Sequence, residues 1–140
     1  MNEQEYFMEI FWKFWWPVII WSGVIFTFSS IPYLKGPKIG LGYEDKICHF
    51  IEFFIWGIIF IWRAGKVISA KTVIAPSTNP LVEKIFLMLL VGIIFAFVDE
   101  FHQKWIPGRG FDRYDLFSDI MGLGFSLLIW VIFKKGGSYV

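Results

Sequence analysis

Residues 98 to 115 read VDEFHQKWIPGRGFDRYD, seven formally charged side chains and a histidine set directly after a long apolar run. Carboxylates beside a histidine can pass protons or hold a divalent cation, and an arginine between glycines can grip phosphate with its planar fork. His49 and Glu52 stand at i and i+3, on one side of a helix, and could present two metal ligands or an imidazole held by a carboxylate. The competing account of that pair is mutual satisfaction at a helix start. Asp99 pairs by spacing with His102 (i+3) and Gln103 (i+4), and Gly92 and Ala96 continue its stripe as small residues that permit close helix approach. Arg109 sits in the turn PGRG, where an ion pair with Asp112 or Asp115 competes with ligand binding. Asp112, Asp115 and Asp119 run at i, i+3 and i+7, and Asp115 also suits the N-terminal charge of a last helix. No HExxH or paired CxxC signature is present, so no cofactor is expected, and a divalent cation among the carboxylates stays an open alternative.

The elements that must position these residues follow from composition. Of 140 residues 56% are hydrophobic and only 18% charged, with eight Trp and seventeen Phe, more apolar side chain than one small core can bury. The expected fold is an all-α polytopic membrane protein, one domain over 1–140, with four transmembrane spans at about 17–31, 47–62, 84–103 and 115–133. Ahead of the first span, Phe7, Ile10, Phe11 and Phe14 recur at helical spacing opposite Glu3, Glu5 and Glu9, which predicts a short N-terminal interfacial helix. Residues 32–45 and 64–80 read as loops, the second ending at Pro80, a residue suited to a first helical position. Lys134, Lys135, Gly136 and Gly137 supply a basic final turn and a stop.

Depth arithmetic places the charges. A hydrocarbon core of roughly 30 Å needs about 20 helical residues. Residues 53–62 give ten wholly apolar positions and 85–98 give fourteen. The second span must therefore enter near Lys46 and carry His49 and Glu52 inward, and the third must continue through Asp99, Glu100, His102 and Gln103. The fourth begins near Asp115 and places Asp119 about one turn inside, with Gly122 and Ser126 following on its stripe. Antiparallel threading brings the start of span two, the end of span three and the start of span four to one membrane face. Ser29 and Ser30, at the end of span one, reach it too.

A net charge of +1 with no dense basic cluster argues against nucleic acid. Cys48 stands alone, so no intramolecular disulfide forms. The acidic start does not resemble a cleaved signal. With the N-terminus inside, Lys and Arg number seven on the cytoplasmic side against six outside. Setting aside Lys46, Lys104, Arg109 and Arg113 as site residues favours both termini in the cytoplasm.

FSSIP (28–32), DKICHFIEF (45–53) and DEFHQKWIPGRGFDRYDLFSDIMG (99–122) resemble the VanZ-like family of small bacterial membrane proteins. The resemblance implies a bacterial cell-membrane setting and an association with resistance to the glycopeptide teicoplanin. It carries over recurrent polar residues to Asp45, Lys46, His49, Glu52, Asp99, Glu100, Gln103, Arg109, Asp115 and Asp119. Phe53 stands where that family commonly has Tyr, and Asp119 where it usually has Asn.

The leading expectation is an outward-facing polar pocket that binds an anionic or phosphorylated envelope component. Lys46 and Arg109 would grip phosphate, Glu100, His102, Gln103, Asp115 and Asp119 would complete the wall, and His49, Glu52 and Asp99 would transfer protons. One alternative is an acid/base or metal-assisted hydrolase of a lipid phosphate or peptidoglycan precursor. Others are a small transporter or flippase subunit, or a bundle that only packs against membrane lipids and partners.

Overall fold

A computed structural model describes residues 3–34, 36–37, 40–68 and 80–136. Four helices account for nearly all of them: α1 (Glu3–Ser29), α2 (Glu44–Ile68), α3 (Pro80–Gln103) and α4 (Arg113–Gly136).

One expectation is corrected at the N-terminus. A separate interfacial helix does not precede the first span; α1 is one helix of 27 residues running through Pro17. Proline there removes one helical hydrogen bond, at a cost of about 3 kcal/mol or more in a helix interior, yet the apolar run from Trp15 to Ser29 carries the helix onward. The second helix is also longer than its apolar centre. It starts at Glu44, with Glu44 and Asp45 in the first turn where negative charge complements the helix dipole, and the Glu44 carboxylate accepts from the Leu41 amide at 2.9 Å. The predicted loop over 64–80 shrinks accordingly, since α2 extends to Ile68 and α3 opens at Pro80. Residues 69–79 and the predicted stop at Gly137 lie outside the described residues.

Two helices are long and apolar enough to cross a membrane, Ile85–Gln103 of α3 and Arg113–Phe133 of α4, with a shorter apolar stretch at Trp15–Ser29. Helix α2, interrupted by Lys46, Glu52 and Arg63, is not among them. The outward faces are apolar: Ile94, Phe117, Leu128 and Phe133 are all exposed.

Helix α2 is the hub, packed most closely against α4. Gly122 makes that approach possible. A Cβ there would collide with the Phe50 carbonyl oxygen and sit 2.9 Å from the Phe54 amide nitrogen, both backbone atoms of α2. The far half of the bundle is dry. Ile25, Phe53, Trp56, Phe60, Met88, Ala96 and Leu123 are buried, and Trp56 stacks on Phe60 (centroids 4.9 Å) and Phe95 (5.9 Å). Trp56 also donates its indole N–H to Ser22 Oγ at 2.8 Å, and Trp21 donates to the Glu52 carbonyl at 3.0 Å, pinning α1 to α2.

Candidate functional site

The other end of the bundle holds the polar residues. Ser29 closes α1, Lys46, His49 and Glu52 open α2, Asp99, Glu100 and Gln103 end α3, and Asp115 and Asp119 begin α4. Ser29, His49, Asp99, Glu100, Gln103, Asp115 and Asp119 are all buried. Buried charge is costly unless paired, so the partners define the site.

His49 is its centre. Its Nδ1 donates to Asp119 Oδ1 at 3.0 Å and lies 3.8 Å from Glu100 Oε1, while its Nε2 faces Asp115 Oδ2 at 3.9 Å. Both ring nitrogens therefore look at carboxylates. Glu100 is held from two sides, Oε1 accepting from Gln103 Nε2 and Oε2 from the Asp112 amide, each at 3.0 Å. Asp99 Oδ2 accepts from Ser29 Oγ at 2.7 Å and from Gln103 Nε2 at 3.1 Å, which ties the end of α1 to the end of α3. Among the described residues, Asp99 Oδ1 and Asp119 Oδ2 are buried with no hydrogen-bond partner. Glu52, half-buried, lines a neighbouring cavity.

Lys46 caps the cluster, with Nζ 2.7 Å from Asp112 Oδ2 and 2.6 Å from Asp115 Oδ1. The bond from Lys46, acting with its positive charge, lowers the Asp112 pKa. The competing account of Arg109, an ion pair with Asp112 or Asp115, is not what forms: both carboxylates pair with Lys46, and Arg109 Nη1 donates to the Phe28 carbonyl at 3.1 Å. Among the described residues no carboxylate lies within ion-pairing distance of Arg109.

His102 is not brought into the cluster. It stacks on Phe26 (centroids 4.2 Å) and meets Ser30 Oγ at 3.0 Å. Because the Ser30 hydroxyl hydrogen goes to the Phe26 carbonyl at 2.6 Å, Ser30 accepts from His102 Nε2. Two contributors were weakly marked in the sequence. Asp112, read there as a partner for Arg109, instead anchors Lys46 and donates its amide to Glu100. Tyr33 lies under Gly108 with a left-handed backbone (φ 56°), its amide donating to the Pro107 carbonyl at 3.0 Å. That bond clasps the α1–α2 loop to the α3–α4 loop, and the PGR turn gave its glycine but not its partner.

Two adjoining cavities open over the cluster. One of about 380 Å³ is lined by Asp45, Gln103, Arg109, Asp112 and Asp115 together with Leu34 and several glycines. The other, about 230 Å³, mixes Phe28, Leu34, Pro37 and Cys48 with His49, Glu52 and Arg109. Arg109 and Asp45 line both.

Taken together, the helices and their polar end describe a helical bundle with a buried acidic cluster at one end and an apolar exterior. The chain belongs to the VanZ/LLP1 family, which it matches over residues 7–134. It is 24% identical over 99 residues to an uncharacterized protein of Schizosaccharomyces pombe, a match covering 71% of this chain and 54% of that relative. The chain thus spans about half the length of the curated relative it matches. No solved structure matches. Family membership and the two apolar helices together make it a membrane protein.

Proposed function

We propose that the protein crosses the bacterial cell membrane four times, with both termini in the cytoplasm, and binds the anionic headgroup of a phosphorylated envelope amphiphile at its polar end. The observation that carries this reading is the placement of Arg109. It lines both cavities and uses one N–H on a backbone carbonyl, while Lys46 is held by two carboxylates. Among the described residues that line the two cavities, Arg109 is therefore the cation available to an incoming phosphate, as a bidentate fork, and Lys46 shapes the rim. The lining of the 230 Å³ cavity combines apolar residues (Phe28, Leu34, Pro37) with charged ones (Glu52, Arg109), which suits a molecule with a charged head and a hydrocarbon stem.

The test is binding of a short-chain polyprenyl phosphate, against its neutral alcohol, to the purified chain in nanodiscs. Phosphate should bind at least tenfold tighter than alcohol, and Arg109→Ala should erase the difference. Equal binding of the two lipids would refute the reading. Reporter fusions at both ends test the topology, and teicoplanin susceptibility of a deletion strain tests the phenotype that the family resemblance implies.

A second reading, hydrolysis of the same phosphorylated headgroup, is favoured by the His49–Asp119 bond at 3.0 Å, the arrangement in which a carboxylate orients an imidazole for proton transfer. Phosphate release that requires His49 distinguishes it from binding alone.

A further inference from the structure

Among the described residues seven carboxyl groups (Asp45, Glu52, Asp99, Glu100, Asp112, Asp115 and Asp119) surround three basic ones, Lys46, His49 and Arg109. Lys46 lies at the rim, on Asp112 and Asp115, so its charge serves the outer part of the cluster. Deeper in, His49, Glu100 and Asp119 are each buried, with one ligand atom from each within 4.8 Å of the others.

We propose that His49 Nδ1, Glu100 and Asp119 form a binding site for one divalent transition-row cation such as Zn²⁺ or Mn²⁺. Three observations beyond the acidic cluster carry this. Asp119 is 0% exposed, its Oδ1 faces His49 Nδ1, and its Oδ2 has no partner among the described residues. A buried carboxylate oxygen without a donor is destabilising, and a cation within reach satisfies it. The spacing fits for Asp119 and nearly so for Glu100. Ligands at about 2.1 Å from a metal lie roughly 3.0 Å apart in an octahedron and 3.4 Å apart in a tetrahedron; His49 Nδ1 lies 3.0 Å from Asp119, within that range, and 3.8 Å from Glu100, which a metal would draw in by about 0.4 Å or more. The surroundings are those of a ligand set: Gln103 and the Asp112 amide fix Glu100, and Asp115 Oδ2 stands 3.9 Å from the far nitrogen of His49. That gap is too long for a hydrogen bond, but it puts a carboxylate on the side where a metal-bound imidazole finds the partner for its second N–H.

The mixed nitrogen and oxygen donors select the ion. Imidazole with carboxylates suits Zn²⁺ or Mn²⁺ better than Ca²⁺, which takes oxygen donors alone. A metal and the Nδ1 hydrogen compete for one lone pair, so on binding the ring's hydrogen sits on Nε2, toward Asp115. The second acidic group around His49, Asp45 with Asp115, is the weaker choice because Lys46 Nζ stands 2.6 Å from Asp115.

The site goes beyond the headgroup reading and does not depend on it, since the probe is the metal alone. The full chain, purified in detergent and stripped with chelator, is titrated with Mn²⁺ and Zn²⁺. Bound metal is read by elemental analysis and the Mn²⁺ environment by electron–nuclear spectroscopy. The expected result is one equivalent, a ¹⁴N coupling from His49, and at least tenfold weaker binding in Asp119→Asn and Glu100→Gln. Gly124→Ala, at a glycine with nothing within 4 Å, should bind as the parent does. Asp119→Asn keeps the side-chain shape, and an unchanged far-ultraviolet circular dichroism spectrum confirms that it folds. No bound metal, no nitrogen coupling, or full-strength binding in folded Asp119→Asn would each overturn the proposal. Loss on Asp115→Asn with retention on Asp119→Asn would also overturn it, by moving the metal to the rim. Failure of metal binding leaves the Arg109 lipid assay untouched, and failure of that assay leaves the metal result standing.

Discussion

Two glycines two positions apart in α4 should respond to the same substitution with opposite signs. At Gly122 a new methyl meets the Phe50 carbonyl oxygen and lies 2.9 Å from the Phe54 nitrogen. These are backbone atoms of a packed helix and cannot swing aside, so α4 must move off α2 by several tenths of an ångström or more. Overpacking of this kind costs roughly 1–3 kcal/mol, against a gain of about 0.5–1 kcal/mol from replacing glycine inside a helix. At Gly124 nothing lies within 4 Å, so only the gain remains. For a chain of this size about 1 kcal/mol moves the melting temperature by roughly 2–4 °C. Gly122→Ala should then melt lower than the parent by up to about 10 °C, and Gly124→Ala should melt equal or a few degrees higher. The assay is thermal unfolding in one detergent, followed by circular dichroism with tryptophan fluorescence as a second probe. Because Asp119 sits one turn before Gly122, the displaced helix should also weaken Mn²⁺ binding at least threefold. Equal melting temperatures for the two variants, or a destabilised Gly124→Ala, would show that α4 does not lie on α2 by this face.

Other consequences are as direct. Ser29→Ala removes the donor to Asp99 Oδ2, a bond to a charged group, and should lower stability by about 1.5–3 kcal/mol, measured by denaturant titration in mixed micelles. Lys46→Met should abolish the lowering of the Asp112 pKa, visible as an upward move of its side-chain carboxyl titration by NMR. The sign follows: a depressed folded-state pKa adds stability above the unfolded value and loses it as pH falls through the folded value. The parent should therefore lose more stability than Lys46→Met on acidification through the acid range, and equal losses would contradict the pairing. Trp21→Phe deletes the indole bond to the Glu52 carbonyl and should cost about 0.5–1.5 kcal/mol, read from the same unfolding curves.

Much of this site was legible in the chain, for identifiable reasons. Short apolar centres in 53–62 and 85–98 force the flanking polar residues inward, and antiparallel threading sends them to one end, where Ser29, His49, Asp99 and Asp119 do stand together. Spacing along a helix reports a shared face but not which neighbour that face meets. That is why Lys46 could be assigned to phosphate when Asp112 and Asp115 hold it, and why His102, one turn from Asp99, points to Phe26 and Ser30. The interfacial helix expected ahead of span one rested on an apolar face opposite Glu3, Glu5 and Glu9, a pattern that the first turns of one continuous 27-residue helix satisfy equally well. The identity of the carboxylate that meets His49 depends on the rotation of α4 about its axis, which Gly122 sets through a backbone contact invisible in any single helix.

Phe53, Trp56, Phe60, Phe95 and Leu123 form an apolar, largely aromatic layer beyond the polar end of the bundle. A straight path for a proton or cation from the polar cluster to the opposite end of the bundle runs into that layer, and in this conformation would first require it to be dismantled.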